Sequence, residues 1–241
     1  MSLRVSLRAG ATAVIAVAAL APGGAQAAAP RVNQLVVFRS GSAKQKQVVA
    51  RAATVRVGRR RCAVGAGTAL AALVHSGVGP LRLKDFGACS ARPVDAAGLY
   101  VSAIDGDRAR GRNGWVYKIG NRAATAGAAD PSGPFGRGRL RAGQRVMWFY
   151  CRMSARTGSC QRTLGVSAAA QGGGTVRVTV RAYDDQGRGR RRAGATVHAG
   201  AVAATTGSDG SATLMLPPGR ARIWASAPGL VRSFEEAVDV R

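Results

Sequence analysis

Trp115, Tyr117, Trp148 and Tyr150 are the side chains of this 241-residue chain best placed to do chemistry. Trp115 and Tyr117 alternate in GWVYKIGN, and Trp148 and Tyr150 alternate in RVMWFYC. Alternate residues of a β-strand share a face, so each pair can present two rings to the same side. Together the four rings could form a platform for a flat or apolar ligand. Aromatic residues are only 5% of the chain, yet half of them lie between positions 115 and 150. The same concentration would serve a domain core, and strand aromatics at period two normally face inward, so the core is the expected role. Buried hydroxyls need partners, which places Tyr117 and Tyr150 nearer a rim than the tryptophans.

Other chemistry is sparse. The chain contains no G-x-S-x-G elbow, S-x-x-K, H-E-x-x-H or phosphate-binding loop. Asp105-Gly106-Asp107 begins like a calcium loop, but Ala109 and Arg110 occupy the next ligand and glycine places. Arg108, Arg110 and Arg112 would repel a cation there, so an arginine-rich hairpin turn is the better reading. His75 and His198, the only histidines, are distant in sequence from each other and from any cysteine. No catalytic residue, metal ligand or cofactor is expected, and the chain does not read as an enzyme.

The four cysteines are Cys62, Cys89, Cys151 and Cys160. An even count in an exported chain suggests two disulfides, with three possible connectivities. Nearest-neighbour pairing is expected, Cys62 with Cys89 and Cys151 with Cys160.

Export itself is read from residues 1–27. Arg4 and Arg8 precede an apolar run over 9–21, and Ala25-Gln26-Ala27 offers a small-x-small cleavage site. The run is shorter than the ~18 residues of a membrane span. No cysteine follows the cut for lipid attachment, and VDVR at the C-terminus is neither an apolar tail nor a wall-sorting signal. A secreted protein without a membrane span is expected.

The formal net charge is +25, and loss of Arg4 and Arg8 lowers it by two. Lys44, Lys46, Lys84 and Lys118 are the only lysines, so arginine carries most of that charge. Such a field draws a protein to anionic surfaces and polymers and weakens with salt. The densest runs, 59–61 and 188–192, read first as solvated turns and second as anion-binding patches. Export makes nucleic acid an unexpected partner.

Two domains must position these residues. SAAAQGGG at 167–174 reads as a flexible linker between 28–166 and 175–241. In the first domain, strands are expected at 34–38, 54–57, 81–86, 99–104, 115–119 and 146–150, with a polar loop near 42–47. Residues 68–76 form the one convincing helix, capped by Thr68 and ended by Gly77. This pattern predicts a mixed sheet with one helix packed across it. In the second domain, Val176, Val178 and Val180 alternate with Arg177, Thr179 and Arg181, the mark of a half-buried strand. Further short strands at 195–198, 212–216, 221–225 and 237–240, with turns at Asp209-Gly210 and Pro218-Gly219, predict a small all-β sandwich.

Residues 54–164 resemble the transcobalamin C-terminal-like domain, a family of uncharacterised bacterial exported domains. The helix GTALAAL, then GLYVSAIDG, GWVYKIGN and GRLRAGQRVMWFYC, follow in that family's order. The resemblance implies an α+β, β-grasp-like fold that binds a soluble ligand. In animal cobalamin carriers, a domain of this type covers one side of the corrin ring. Here Gly120-Asn121 stands where that family has Asn-Gly, and Gln144 replaces an acidic residue. DPSGPFGRG lengthens the preceding loop, and the helical partner domain of the carriers is absent from this chain. Residues 194–240 resemble a carboxypeptidase-regulatory-like, prealbumin-like module, through GATVHAG, TTGSDGSATLMLPPG and APG. Such modules are usually spacers or adhesive accessories of other extracellular domains.

Two functions are therefore expected in order. The first is a secreted, non-enzymatic binding protein of bacterial type with its ligand unassigned, the candidate partners being a small flat ligand or an anionic cell-envelope polymer. The second is a structural cell-envelope or adhesion protein held on anionic polymers by its charge.

Overall fold

The computed structural model describes residues 28–241, so the expected signal peptide lies outside the described residues. The first part of the chain contains β1 (Arg31–Val37), β2 (Ala43–Val49), β3 (Ala53–Val57), β4 (Arg60–Val64), α1 (Ala69–His75), β5 (Leu81–Asp85) and β6 (Leu99–Ile104). It continues through β7 (Asp107–Arg108), β8 (Gly114–Ile119), β9 (Arg122–Ala123) and β10 (Arg145–Cys151). The second part adds β11 (Thr163–Gly172), β12 (Thr175–Tyr183), β13 (Gly189–Arg191) and β14 (Thr196–Ala199). It closes with β15 (Val202–Thr205), β16 (Ser211–Met215), β17 (Gly219–Ser226) and β18 (Glu236–Val240).

This inventory corrects the expected α+β, β-grasp-like class. The described residues are nearly all β, 48% strand and 5% helical, and the strands divide among several sheets. Helix α1 has seven residues, capped as expected by the Thr68 Oγ1, which accepts from the Ala71 N–H at 3.2 Å. Gly77 at φ 69° follows it in the left-handed conformation. Two turns of helix cannot form a layer of their own, and the pairing of many short strands decides the class.

The central sheet has five strands in the order β2-β1-β10-β8-β9, with β1 parallel to β10 and the other pairs antiparallel. Both of its faces are covered. Val36, Val146, Trp148 and Tyr150 face the core beneath α1, whereas Leu35, Val37, Met147 and Phe149 pack against Val231 and Phe234 of the second half. A strand buried on both sides has no polar alternation, which explains the continuous run VMWFYC in β10.

Residues expected to form a polar loop at 42–47 belong instead to β2, which pairs with β1 through seven residues. Lys44, Gln45, Lys46 and Gln47 are exposed along it. An edge strand in water shows no apolar alternation, so its signal comes from the neighbour that pairs with it. The segment 167–174, expected as a flexible linker, forms the second half of β11 and the turn into β12.

Two four-stranded sheets make up the second half. One joins β11, β12, β13 and β16, and the other runs β15-β14-β17-β18. Val176, Val178 and Val180 are fully buried between them against Val197, Ile223 and Ala225, while Arg177 and Arg181 face outward.

Both disulfides form as paired in the sequence reading, Cys62–Cys89 and Cys151–Cys160, and no described cysteine is free. They indicate an oxidising, extracellular type of compartment. Among the described residues, no helix is long and apolar enough to cross a membrane.

Candidate functional site

Strand β8 is paired along its whole length with β10 on one side, but β9 covers only Lys118 and Ile119 on the other. A cavity of about 270 Å³ lies along that uncovered edge. Since it follows the edge, its wall takes side chains from both faces of β8: Trp115 and Tyr117 from one, Val116 and Lys118 from the other. Leu99, Tyr100 and Val101 of β6, Trp148 and Phe149 of β10, the stretch over 123–128, Cys160 and Asp185 complete it. At the strand's start, a Cβ on Gly114 would run into the Tyr100 hydroxyl, so glycine there lets β6 close one end of the cavity.

The four predicted aromatics are core residues first. Trp115, Tyr117, Trp148 and Tyr150 are 3%, 8%, 1% and 5% exposed, so no open platform exists. Tyr117 stacks on Trp148 at 5.1 Å between centroids, and Trp115 meets Tyr150 edge to face at 5.9 Å. Trp115, Tyr117 and Trp148 line the cavity; Tyr150 lines a separate cleft with Phe38, Arg39 and Arg152. Their packing follows from the register, which sets Trp148 opposite Tyr117 and Tyr150 opposite Trp115.

Polar atoms on these rings are nearly all satisfied. The Tyr117 hydroxyl donates to the Ala126 carbonyl at 2.8 Å, the Tyr150 hydroxyl to the Arg108 carbonyl at 3.0 Å, and the Trp115 indole to the Asp107 carbonyl at 2.8 Å. Burial raises the Tyr117 pKa well above that of a free phenol, and the Asp130 charge adds to the rise. The exception is Trp148, whose indole N–H is buried without a partner among the described residues. An unmet donor of this kind costs about 1–3 kcal/mol. Gln34, on the same sheet face one strand away, likewise leaves both amide atoms without a partner.

Lys118 was visible in the sequence only as one of four lysines. It is 1% exposed and points to the second half of the chain, where its Nζ lies 3.2 Å from the Asp185 carboxylate. It also donates to the Asp184 carbonyl at 2.9 Å. Burial pulls its pKa below the ordinary lysine value, against the raising effect of Asp185. The partners that bury it come from a distant stretch of chain, which local sequence cannot show.

Asp105-Gly106 forms the β6–β7 turn, with Asp105 at φ 49°, and Asp107 begins β7. The Asp105 carboxylate pairs with Lys44 at 3.7 Å and that of Asp107 accepts from the Arg39 N–H at 2.8 Å. No group of three or more His, Cys, Asp or Glu among the described residues could hold a metal ion.

The chain matches no family model, no curated protein and no solved structure. What the site can do is therefore argued from its own geometry.

Proposed function

We propose that this is an exported, non-enzymatic protein that binds a small, flat and largely apolar ligand in the cavity beside β8. The lining carries the reading, because the rings of Tyr100, Trp115, Tyr117, Trp148 and Phe149 stand with aliphatic groups around the cavity. Apolar walls supply affinity, and the paired Lys118 and Asp185 are the charged groups of the lining. About 270 Å³ suits a one- or two-ring molecule rather than a tetrapyrrole. Export through residues 1–27 and release outside the cell complete the proposal.

Calorimetric titration with 2-naphthol tests it, with haem as the oversized control. Saturable binding of 2-naphthol, weakened about tenfold by Ala124→Phe, which puts a ring into the cavity, is the expected result. No saturable binding, or an affinity unchanged when the cavity is filled, would refute it.

A further inference from the structure

A second cleft, about 650 Å³, lies where β2 of the central sheet meets β17 and the stretch before β18. Its wall carries Lys46, Arg220 and Arg222 with the amides of Asn33 and Gln47. Neither Lys46 nor Arg220 forms an ion pair among the described residues. Arg222 reaches only Glu235, at 3.8 Å, and that carboxylate is already held by Arg232 at 3.3 Å. Asp239 stands opposite Arg220 in the β17–β18 register, and Glu236, between the lining residues Glu235 and Ala237, is paired with Arg145. The balance there remains positive, in a chain whose basic residues outnumber its acidic ones 36 to 11.

We infer that this cleft binds a linear polyol phosphodiester. Arg220 and Arg222 alternate on the outer side of β17, about 6.6 Å apart along the strand. That interval matches successive phosphates joined by a three-carbon polyol. Guanidinium groups take phosphate oxygens in paired hydrogen bonds, and the amides of Asn33 and Gln47 can donate to and accept from the polyol hydroxyls. The cleft has no aromatic lining, so nucleic acid bases would find nothing to stack on. Its two walls come from different halves of the chain and are fastened together. The Gln45 side chain donates to the Glu235 carbonyl and accepts from the Glu235 N–H at 2.8 Å, and Arg145 pairs with Glu236 beside it. The site is thus set before the polymer arrives, which lowers the ordering cost of binding. It is separate from the β8 cavity and does not depend on it.

The test compares two charge-matched triple variants of the chain binding a short poly(glycerol phosphate) across a salt series. Lys46→Gln with Arg220→Gln and Arg222→Gln removes the cleft cations. Arg56→Gln with Arg59→Gln and Arg61→Gln removes three from the β3–β4 hairpin. The cleft triple should weaken binding at least tenfold and flatten the slope of log affinity against log salt by about 2. The hairpin triple should change affinity less than about threefold, the effect of net charge alone. Circular dichroism checks that these exposed substitutions leave the fold intact. Equal losses in both triples would overturn the inference, as would no binding at all. Tighter binding of a single-stranded oligonucleotide that the cleft triple abolishes would overturn it in favour of nucleic acid.

Discussion

Replacing Asp185 with alanine strips the counter-ion from an ammonium group that is only 1% exposed. Removing one partner of a buried pair typically costs about 3–5 kcal/mol, because the remaining charge has lost both water and its partner. Asp185 is 27% exposed and the Asp184 carbonyl still accepts from Lys118, so the lower value of about 2–3 kcal/mol applies. For a chain of this size that is a fall in Tm of roughly 4–12 °C. Lys118→Met should cost less than about 1 kcal/mol, since it keeps an unbranched apolar side chain in place of one whose ammonium lies over the Phe149 ring, and leaves a carboxylate that water can reach. The double variant should match Lys118→Met alone. Equilibrium denaturation followed by circular dichroism reads all three. Burial holds the folded pKa of Lys118 below the unfolded 10.5. The unfolded chain therefore keeps its proton to higher pH, and stability from this group rises with pH between the lowered value and 10.5. Loss of Asp185 deepens that lowering, so its deficit is largest near neutrality and narrows on the way to 10.5. A Lys118→Met variant less stable than Asp185→Ala would refute the reasoning, and so would a deficit independent of pH.

Three further outcomes follow from the packing. Serine replacement of the Cys62–Cys89 pair, separated by 27 residues, should cost about 3.5 kcal/mol, and of Cys151–Cys160, separated by 9, about 2.6 kcal/mol. Thermal unfolding of the two variants should rank them in that order. The Asp85 carboxylate accepts from the Cys89 and Gly87 N–H groups and pairs with Arg60, and these contacts hold its pKa below 3.8. Its contribution is present above the unfolded value and lost as pH falls through the folded one, so Asp85→Asn should destabilise at neutral pH and progressively less in acid. His198, stacked on Trp224 at 3.9 Å, has its pKa lowered below 6.5 by burial and by the Arg232 charge. Stability from it should rise with pH through the window below 6.5, and His198→Gln should flatten that rise in a denaturation series.

The readable features are those whose cause is local. Thr68 caps α1 and Gly77 follows it because a helix end needs an acceptor for free N–H groups and a residue tolerant of positive φ. Val176, Val178 and Val180 announce a half-buried strand through their own spacing. Cys62–Cys89 and Cys151–Cys160 pair with their nearest neighbours in the chain. β2 and the second half of β11 were hidden, because their pairing is supplied by β1 and β12 rather than by any alternation of their own.

The aromatic stretch from Trp115 to Tyr150 shows where the division falls. Composition and period two were enough to say that these rings share strand faces, and that a core was their first use. They could not say that β9 would stop after two residues and leave the edge of β8 open. Nor could they say that Trp148 would lack a partner while Tyr117, Tyr150 and Trp115 found theirs. Lys118 becomes a buried charge only because Asp184 and Asp185 arrive from 66 and 67 residues away. Likewise, the cations of the second cleft meet only when β2 and β17 come together. Local order follows from what each residue does to its own backbone and near neighbours. Cavities, buried charges and basic clefts arise where distant segments meet, and tertiary structure alone brings them together.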